Sequence, residues 1–355
     1  MWVKWNGSKY TTILLGLLIV ALIMLPCSFA SAQKDDNFSI TLAQNTLNTC
    51  YSVAKEAEAA GANITSLQET LNTAGLLLSR AELSNAQSNT VLANDYAQQV
   101  QNVLADFIPH ANSLRDTASQ MQQTNFLLNL GSIAGAFGVV GASLVVWFYL
   151  KTKAPKLKID LSRFKVIFFV IVAILTLFVA SPAVQRVLVF PQTESFTEFC
   201  LLGSNQKVEN YPHTVTNNGD YRIFLGISNN LGSCGYYLVQ TKFRNQSLEG
   251  PDVFGQTPST LPVLYAMNVF VADKQTVMLP IDFSFDYTID DSTINFNYLS
   301  LNNVNIALDG HSTTWNQTTQ DFYGKLVFEL YLYNSALGLF EYHGRYVDLG
   351  LDLVA

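Results

Sequence analysis

Lys151-Thr152-Lys153-Ala154-Pro155-Lys156-Leu157-Lys158-Ile159-Asp160-Leu161-Ser162-Arg163-Phe164-Lys165 carries six basic side chains and one acid in fifteen residues. Apolar runs flank it on both sides, Leu127 to Leu150 and Val166 to Val184, and neither contains a charged residue. As helices rising about 1.5 Å per residue they would extend roughly 36 Å and 28 Å, close to a hydrocarbon core of about 30 Å. Short Lys/Arg-rich loops stay in the cytoplasm because basic side chains resist translocation. The loop is therefore expected inside, and the chain on both flanks outside.

Outward from this loop the charge changes sign. Residues 33–125 hold 4 basic and 9 acidic residues, and residues 186–355 hold 8 and 17. The 355-residue chain has a net charge of −7, is 49% hydrophobic and 13% charged, and has a mean hydropathy of +0.20. That balance excludes an intrinsically disordered chain, which is apolar-poor and charge-rich. Acidic exposed segments repel phosphate, so nucleic acid is not an expected partner.

At the N-terminus, Lys4 and Lys9 precede an apolar run over residues 11–25, followed by Pro26 and by Ala30-Ser31-Ala32. This is the order of a secretory signal peptide with cleavage after Ala32; an uncleaved signal anchor is the alternative. Both deliver Gln33 outside.

The first outer segment is rich in Ala, Gln, Asn, Leu and Ser. Leu67, Leu71, Ala74 and Leu78, then Val100, Val103, Leu104, Phe107, Ile108, Ala111, Leu114, Ala118 and Met121, recur at helical spacing. Three helices are predicted, about 39–60, 64–84 and 89–125, packed as a narrow bundle or stalk. A coiled coil with a second copy would need the same single stripe per helix. No breaker separates the third helix from the membrane run, although Pro109 should kink it. Within that run Gly131, Gly135, Gly138 and Ala142 share one face. Small residues let helices approach closely in lipid, so this face is expected to pack against residues 166–184 or against another subunit.

Beyond Ser195 the pattern switches to period two. Ile281, Phe283, Phe285, Tyr287 and Ile289 alternate with Asp282, Ser284, Asp286, Thr288 and Asp290, giving one apolar and one wet face. Further strands are predicted at 196–202, 221–228, 235–244, 263–272, 294–301, 324–333 and 339–352. Eight short strands without intervening amphipathic helices point to an immunoglobulin-like β-sandwich. Calcium would require carboxylates converging on one point, whereas strand geometry spaces Asp282 and Asp286 about 13 Å apart. A solvated face is the expected reading.

The expected organisation is thus a membrane-anchored multidomain chain. Residues 1–32 form a signal peptide or anchor, 33–125 an extracytoplasmic helical bundle, 126–150 a transmembrane helix, 151–165 the cytoplasmic loop, 166–186 a second transmembrane helix and 187–355 an extracytoplasmic sandwich. Cys200 and Cys234 fall in that sandwich, on or beside neighbouring predicted strands, and a disulfide between them is expected. Cys50 is left over, buried in the bundle or paired across a dimer. Asn-x-Ser/Thr sequons at Asn37, Asn63, Asn245 and Asn316 all lie in segments placed outside, as glycosylation sites must. His110, His213, His311 and His343 lie far apart, and no phosphate loop, nucleophile elbow or zinc-protease helix occurs. No catalytic residue, metal or cofactor is expected.

The string Thr197-Glu198-Phe199-Cys200-Leu201-Leu202-Gly203, then Glu209-Asn210-Tyr211-Pro212, the strand Tyr221–Ser228 with Asn229-Asn230, and Lys242-Phe243-Arg244-Asn245 resemble an archaeal membrane-protein family, domain of unknown function 1616. The resemblance covers roughly residues 130–355 and implies an archaeal cell-envelope protein with an outward β-domain; it implies no activity. The expected function is non-enzymatic: a cell-membrane protein whose stalk and sandwich bind a protein or glycan of the envelope, its partner being a second copy or another envelope protein. The alternative is an accessory subunit of a membrane transport, secretion or glycosylation complex. A hydrolase on the sandwich is a third reading.

Overall fold

The computed structural model describes residues 38–157, 165–187, 194–252, 254–308, 310–317 and 320–354. The expected N-terminal signal segment, Asn37 and residues 158–164 of the basic loop lie outside the described residues.

Helices α1 (Phe38–Ala59), α2 (Thr65–Ala86) and α3 (Thr90–Leu104) form the bundle, and α4 (Phe107–Leu157) continues from α3 after a break at Ala105-Asp106. Pro109 has no amide hydrogen to give to Ala105, so the helix loosens one turn before the proline. Asn89 caps α3 by accepting from Leu92 N at 3.2 Å. Leu47, Leu71, Ala74, Leu78, Val100 and Ala111 meet in the bundle core.

Eleven strands follow among the described residues. One sheet has the order β1-β3-β6-β7-β8, with β9 also on β7; the other has the order β2-β11-β10-β4-β5. Their ranges are β1 Phe196–Leu202, β2 Thr214–Thr216, β3 Tyr221–Asn230, β4 Gly235–Asn245, β5 Val263–Val271, β6 Gln275–Asp290, β7 Thr293–Leu301, β8 Val304–Ala307, β9 Ser312–Thr314, β10 Phe322–Asn334 and β11 Leu339–Val354. Pairing is antiparallel except for β2 on β11. The inward residues alternate as the sequence does: Ile223, Leu225 and Ile227 on β3, and Ile281, Phe283, Phe285 and Tyr287 on β6, face Tyr237, Val239, Leu326, Phe328 and Leu330 of the second sheet. The molecule therefore combines a helical N-terminal part with a β-sandwich.

The bundle does not stand apart as a stalk. It lies on the outer side of the second sheet, and one buried cluster joins Leu47, Cys50, Tyr51 and Leu71 to Cys234, Tyr236, Phe270 and Ala272. Tyr236 stacks on Phe270 at 4.1 Å, and Tyr51 packs against both rings. The outer face of this sheet carries aromatic residues that water would not cover, and the helices supply the missing layer.

One helical stretch, Thr90–Thr152, is long and apolar enough to cross a membrane. Helix α5 (Lys165–Val187), whose apolar part is shorter, runs antiparallel to it, with Trp147 against Phe168 and Phe169. The small-residue face is only partly covered within the chain. Only Gly135 abuts α5, where a Cβ would lie 3.2 Å from Val179 Cγ1; at Gly131 and Gly138 a Cβ would meet nothing within 4 Å. The covered stripe is the adjacent one, Ser132, Ala136, Val139, Ser143 and Trp147, and Ala142 is exposed.

Candidate functional site

Where α2 meets β5, polar side chains at i, i+4 and i+11 satisfy the backbone of the sheet's last strand. Gln68 Oε1 accepts from Ala272 N at 3.2 Å, and Ser79 Oγ accepts from Asn268 N at 3.1 Å. Asn72 accepts from Phe270 N at 2.8 Å and donates to Phe270 O at 2.9 Å. Gly75 lies between them; a Cβ there would be 2.9 Å from Asn268 O, so only glycine permits this approach. Glu58 of α1 extends the row, accepting from Asp273 N at 2.9 Å and from Cys234 N. An unpaired edge is a template for unwanted strands, and a helix laid along it removes that hazard.

Beside this seam runs an apolar groove of about 420 Å³, lined by Leu76 of α2, Met267 and Val269 of β5, and Val277, Leu279 and Pro280 of β6, with Arg80, Asn72 and Asn302 at its rim. It opens because β5 ends the second sheet while β6 lies inside the first, leaving Val277 and Leu279 only half-buried. On α2 next to the groove, burial raises the Glu82 carboxyl from 4.5 to about 7. Its charge acts on Tyr236 and Tyr265, both pushed up mainly by burial, Tyr265 to about 12.

On the same sheet a buried ion pair pins the loop between β4 and β5. Lys242 Nζ donates to Glu329 Oε2 at 2.7 Å and to Ser259 O at 3.0 Å. Glu329 Oε1 accepts from Ser259 N at 2.9 Å and Ser259 Oγ at 2.5 Å, and Oε2 accepts from Tyr331 OH at 3.0 Å. Both charged groups are almost fully buried, so this network must stay complete to be tolerated. The loop it holds projects Phe254.

Elsewhere the sequence expectations fare differently. Cys50, Cys200 and Cys234 are all free thiols, so the disulfide expected between Cys200 and Cys234 is corrected. Cys200 points out from the first sheet, over Gly226 and beside Met278, while Cys234 lies outside the second sheet in the cluster with Tyr236. Stacked sheets lie about 10 Å apart, and the whole core separates the two sulfurs. Burial raises Cys50 to about 11 and Cys234 to about 12. Asn63 is exposed in the α1–α2 turn, with its Oδ1 accepting from Thr65 N and Oγ1. Asn245 is half-buried, its Nδ2 donating to Ser312 O at 2.9 Å, and Asn316 is half-buried in a bridge with Asp321.

The strand carboxylates are engaged locally: Asp282 pairs with Arg222, and Asp286 accepts from Asn218 and Asn297. Among the described residues no three His, Cys, Asp or Glu side chains gather as a metal site. His343 joins a structural chain, its Nε2 3.0 Å from Thr197 Oγ1, which lies 3.1 Å from the Tyr237 hydroxyl; that hydroxyl donates to Asn229. Burial first, and then the charge of Arg345, lower the His343 pKa.

No family model and no curated protein matches the chain. Among solved structures, the CARDB domain of a Pyrococcus furiosus protein in complex with di-metal ions aligns at 8% identity over 46% of this chain and 93% of its own, with a TM-score of 0.25. A β-glucosidase from Listeria innocua in complex with glucose aligns at 6% identity over 47% of this chain and 17% of its own, with a TM-score of 0.23. An alkylpurine DNA glycosylase from Pseudomonas fluorescens bound to DNA aligns at 9% identity over 84% and 63%, with a TM-score of 0.22. These likenesses are too distant to carry an argument about this chain.

Proposed function

We propose that this chain is a non-enzymatic membrane-anchored envelope protein, crossing the membrane through α4 and α5 and holding the bundle and sandwich outside the cell for binding. The observation that carries this reading is the bare surface of the α4–α5 pair. Phe137, Val145, Phe178 and Val166 are 73%, 70%, 82% and 72% exposed, and no other element of the described residues covers them. In water such a surface would drive aggregation; in lipid it is the expected outer layer. The six basic residues from Lys151 to Lys165, at the facing ends of the two helices and in the link between them, orient the pair by the charge rule. The exposed Asn63 supports glycosylation there.

A membrane-impermeant thiol reagent tests the orientation in intact cells. In a Cys200→Ser background, cysteine introduced at Gln256 of the sandwich should label, and cysteine introduced at Thr152 should label only after permeabilisation. The opposite pattern would reverse the topology and end the envelope reading. A second reading, an accessory subunit of a larger membrane complex, is favoured by the open helix face at Gly131 and Gly138. Gly138→Ile should then release a multi-span partner from the native complex without unfolding the sandwich.

A further inference from the structure

Phe254, at the tip of the β4–β5 loop, is 99% exposed. The tip is nonetheless held in place. Phe254 N donates to Asp252 Oδ1 at 2.9 Å, Asp252 and Thr257 form a β-bridge, and Ser259 is fixed by the Lys242–Glu329 pair. A phenyl ring projecting from a hydrogen-bonded turn forgoes burial in the monomer, the profile of an interface anchor. The groove beside α2 is its complement. It has an apolar lining, room for a ring in about 420 Å³, and a cationic rim at Arg80, which has no carboxylate partner among the described residues. Acidic Asp252 and Glu249 accompany Phe254 on the loop.

Strand register places the two features at one level. Gln256 lies against Gly344 of β11, beside Tyr342. Tyr342 pairs with Tyr331, Tyr331 with Leu238, and Leu238 with Asn268, which lines the groove together with Met267 and Val269. The loop tip and the groove therefore occupy the same rung of the second sheet on opposite flanks.

We propose that Phe254 of one copy inserts into the groove of a neighbouring copy, with Asp252 facing Arg80, so that the partner of this surface is a second copy of the chain. The contact joins two different patches, and every copy carries both, so it propagates into a ring or row. This rests on the membrane-anchored reading, which gives neighbouring copies one orientation in the plane of the bilayer.

The test uses the full chain in its own membrane. Two differently tagged copies are co-expressed, one with Phe254→Cys and one with Thr73→Cys at the groove rim, and treated with a short bismaleimide. Cross-linking between the two tags is expected, with little product between two Phe254→Cys copies. Phe254→Ser, a change at a side chain that touches nothing in the monomer, and Arg80→Glu should each lower self-association in detergent about tenfold. Membrane-bound protein that gives no mixed product, or mainly the product between two Phe254→Cys copies, overturns the proposal. So does a Phe254→Ser variant that assembles as well as the unchanged chain. Recovery of the chain in the soluble fraction would instead overturn the anchoring on which it rests.

Discussion

The side-chain amide of Asn72 makes to Phe270 both hydrogen bonds that a neighbouring strand would make, donating to its carbonyl at 2.9 Å and accepting from its amide at 2.8 Å. A carboxamide has the donor and acceptor geometry of a peptide group, so a helix can end a sheet in this way. The spacing fits as well. Four helical residues advance about 6 Å, and two strand residues advance about 6.6 Å, so Gln68 and Asn72 meet Ala272 and Phe270 in step. Beyond them, the missing side chain of Gly75 lets helix and strand approach.

Asn72→Leu should destabilise the protein by about 1–3 kcal/mol, because it leaves two buried backbone groups of Phe270 without partners. Denaturant unfolding measures the loss. Hydrogen exchange should show the Phe270 amide opening faster, while the Leu225 amide in the first sheet stays protected. Gly75→Val should cost at least as much, since its side chain would collide with Asn268.

Stability should fall as pH rises through neutrality because of Glu82. Its folded pKa is raised from 4.5 to about 7, so the folded state binds the proton more tightly than the unfolded state. The neutral carboxyl is accommodated below about 4.5, stability declines between the two values, and the full cost of the buried charge is present above 7. Glu82→Gln should leave stability at pH 4 nearly unchanged and raise it at pH 8 by up to about 3 kcal/mol. Thermal melting of both proteins at the two pH values checks this, and equal pH slopes would contradict it.

Removing one member of the Lys242–Glu329 pair should be worse than removing both. Lys242→Met strands a buried carboxylate at a cost of about 3–5 kcal/mol. Adding Glu329→Leu should recover much of that loss. In the single variant the loop around Phe254 should become the first site of limited proteolysis, since Ser259 O loses the Lys242 ammonium and the Glu329 carboxylate that holds Ser259 N is left without its counter-charge.

Thiol chemistry separates the three described cysteines. Under native conditions iodoacetamide should modify the partly exposed Cys200 slowly, and Cys50 and Cys234 only after unfolding, because burial both shields them and raises their pKa values. A non-reducing peptide map should contain no Cys200–Cys234 peptide. Its appearance would contradict the placement of β1 and β4 in separate sheets.

Much of the architecture was legible in the residues themselves. Helical spacing from Leu67 to Leu78, period-two alternation from Ile281 to Ile289 and the uniform run from Leu127 to Leu150 are local patterns, and local backbone geometry alone sets their periods. Strands β2, β8 and β9 escaped that reading because three or four residues are too short to show a period. Tertiary structure alone decided what each face meets. Gln68, Asn72, Gly75 and Ser79 form a polar and small row one position after the apolar stripe Leu67, Leu71, Ala74 and Leu78, a visible signal, but its meaning depends on a strand some 200 residues away. The cysteines make the converse point. Neighbouring positions along the chain led to an expected bond, yet β1 and β4 belong to different sheets, and a close-packed core separates Cys200 from Cys234. Periodicity is a property of the backbone and can be read from one segment, whereas partnership is a property of how layers stack, which no single segment contains.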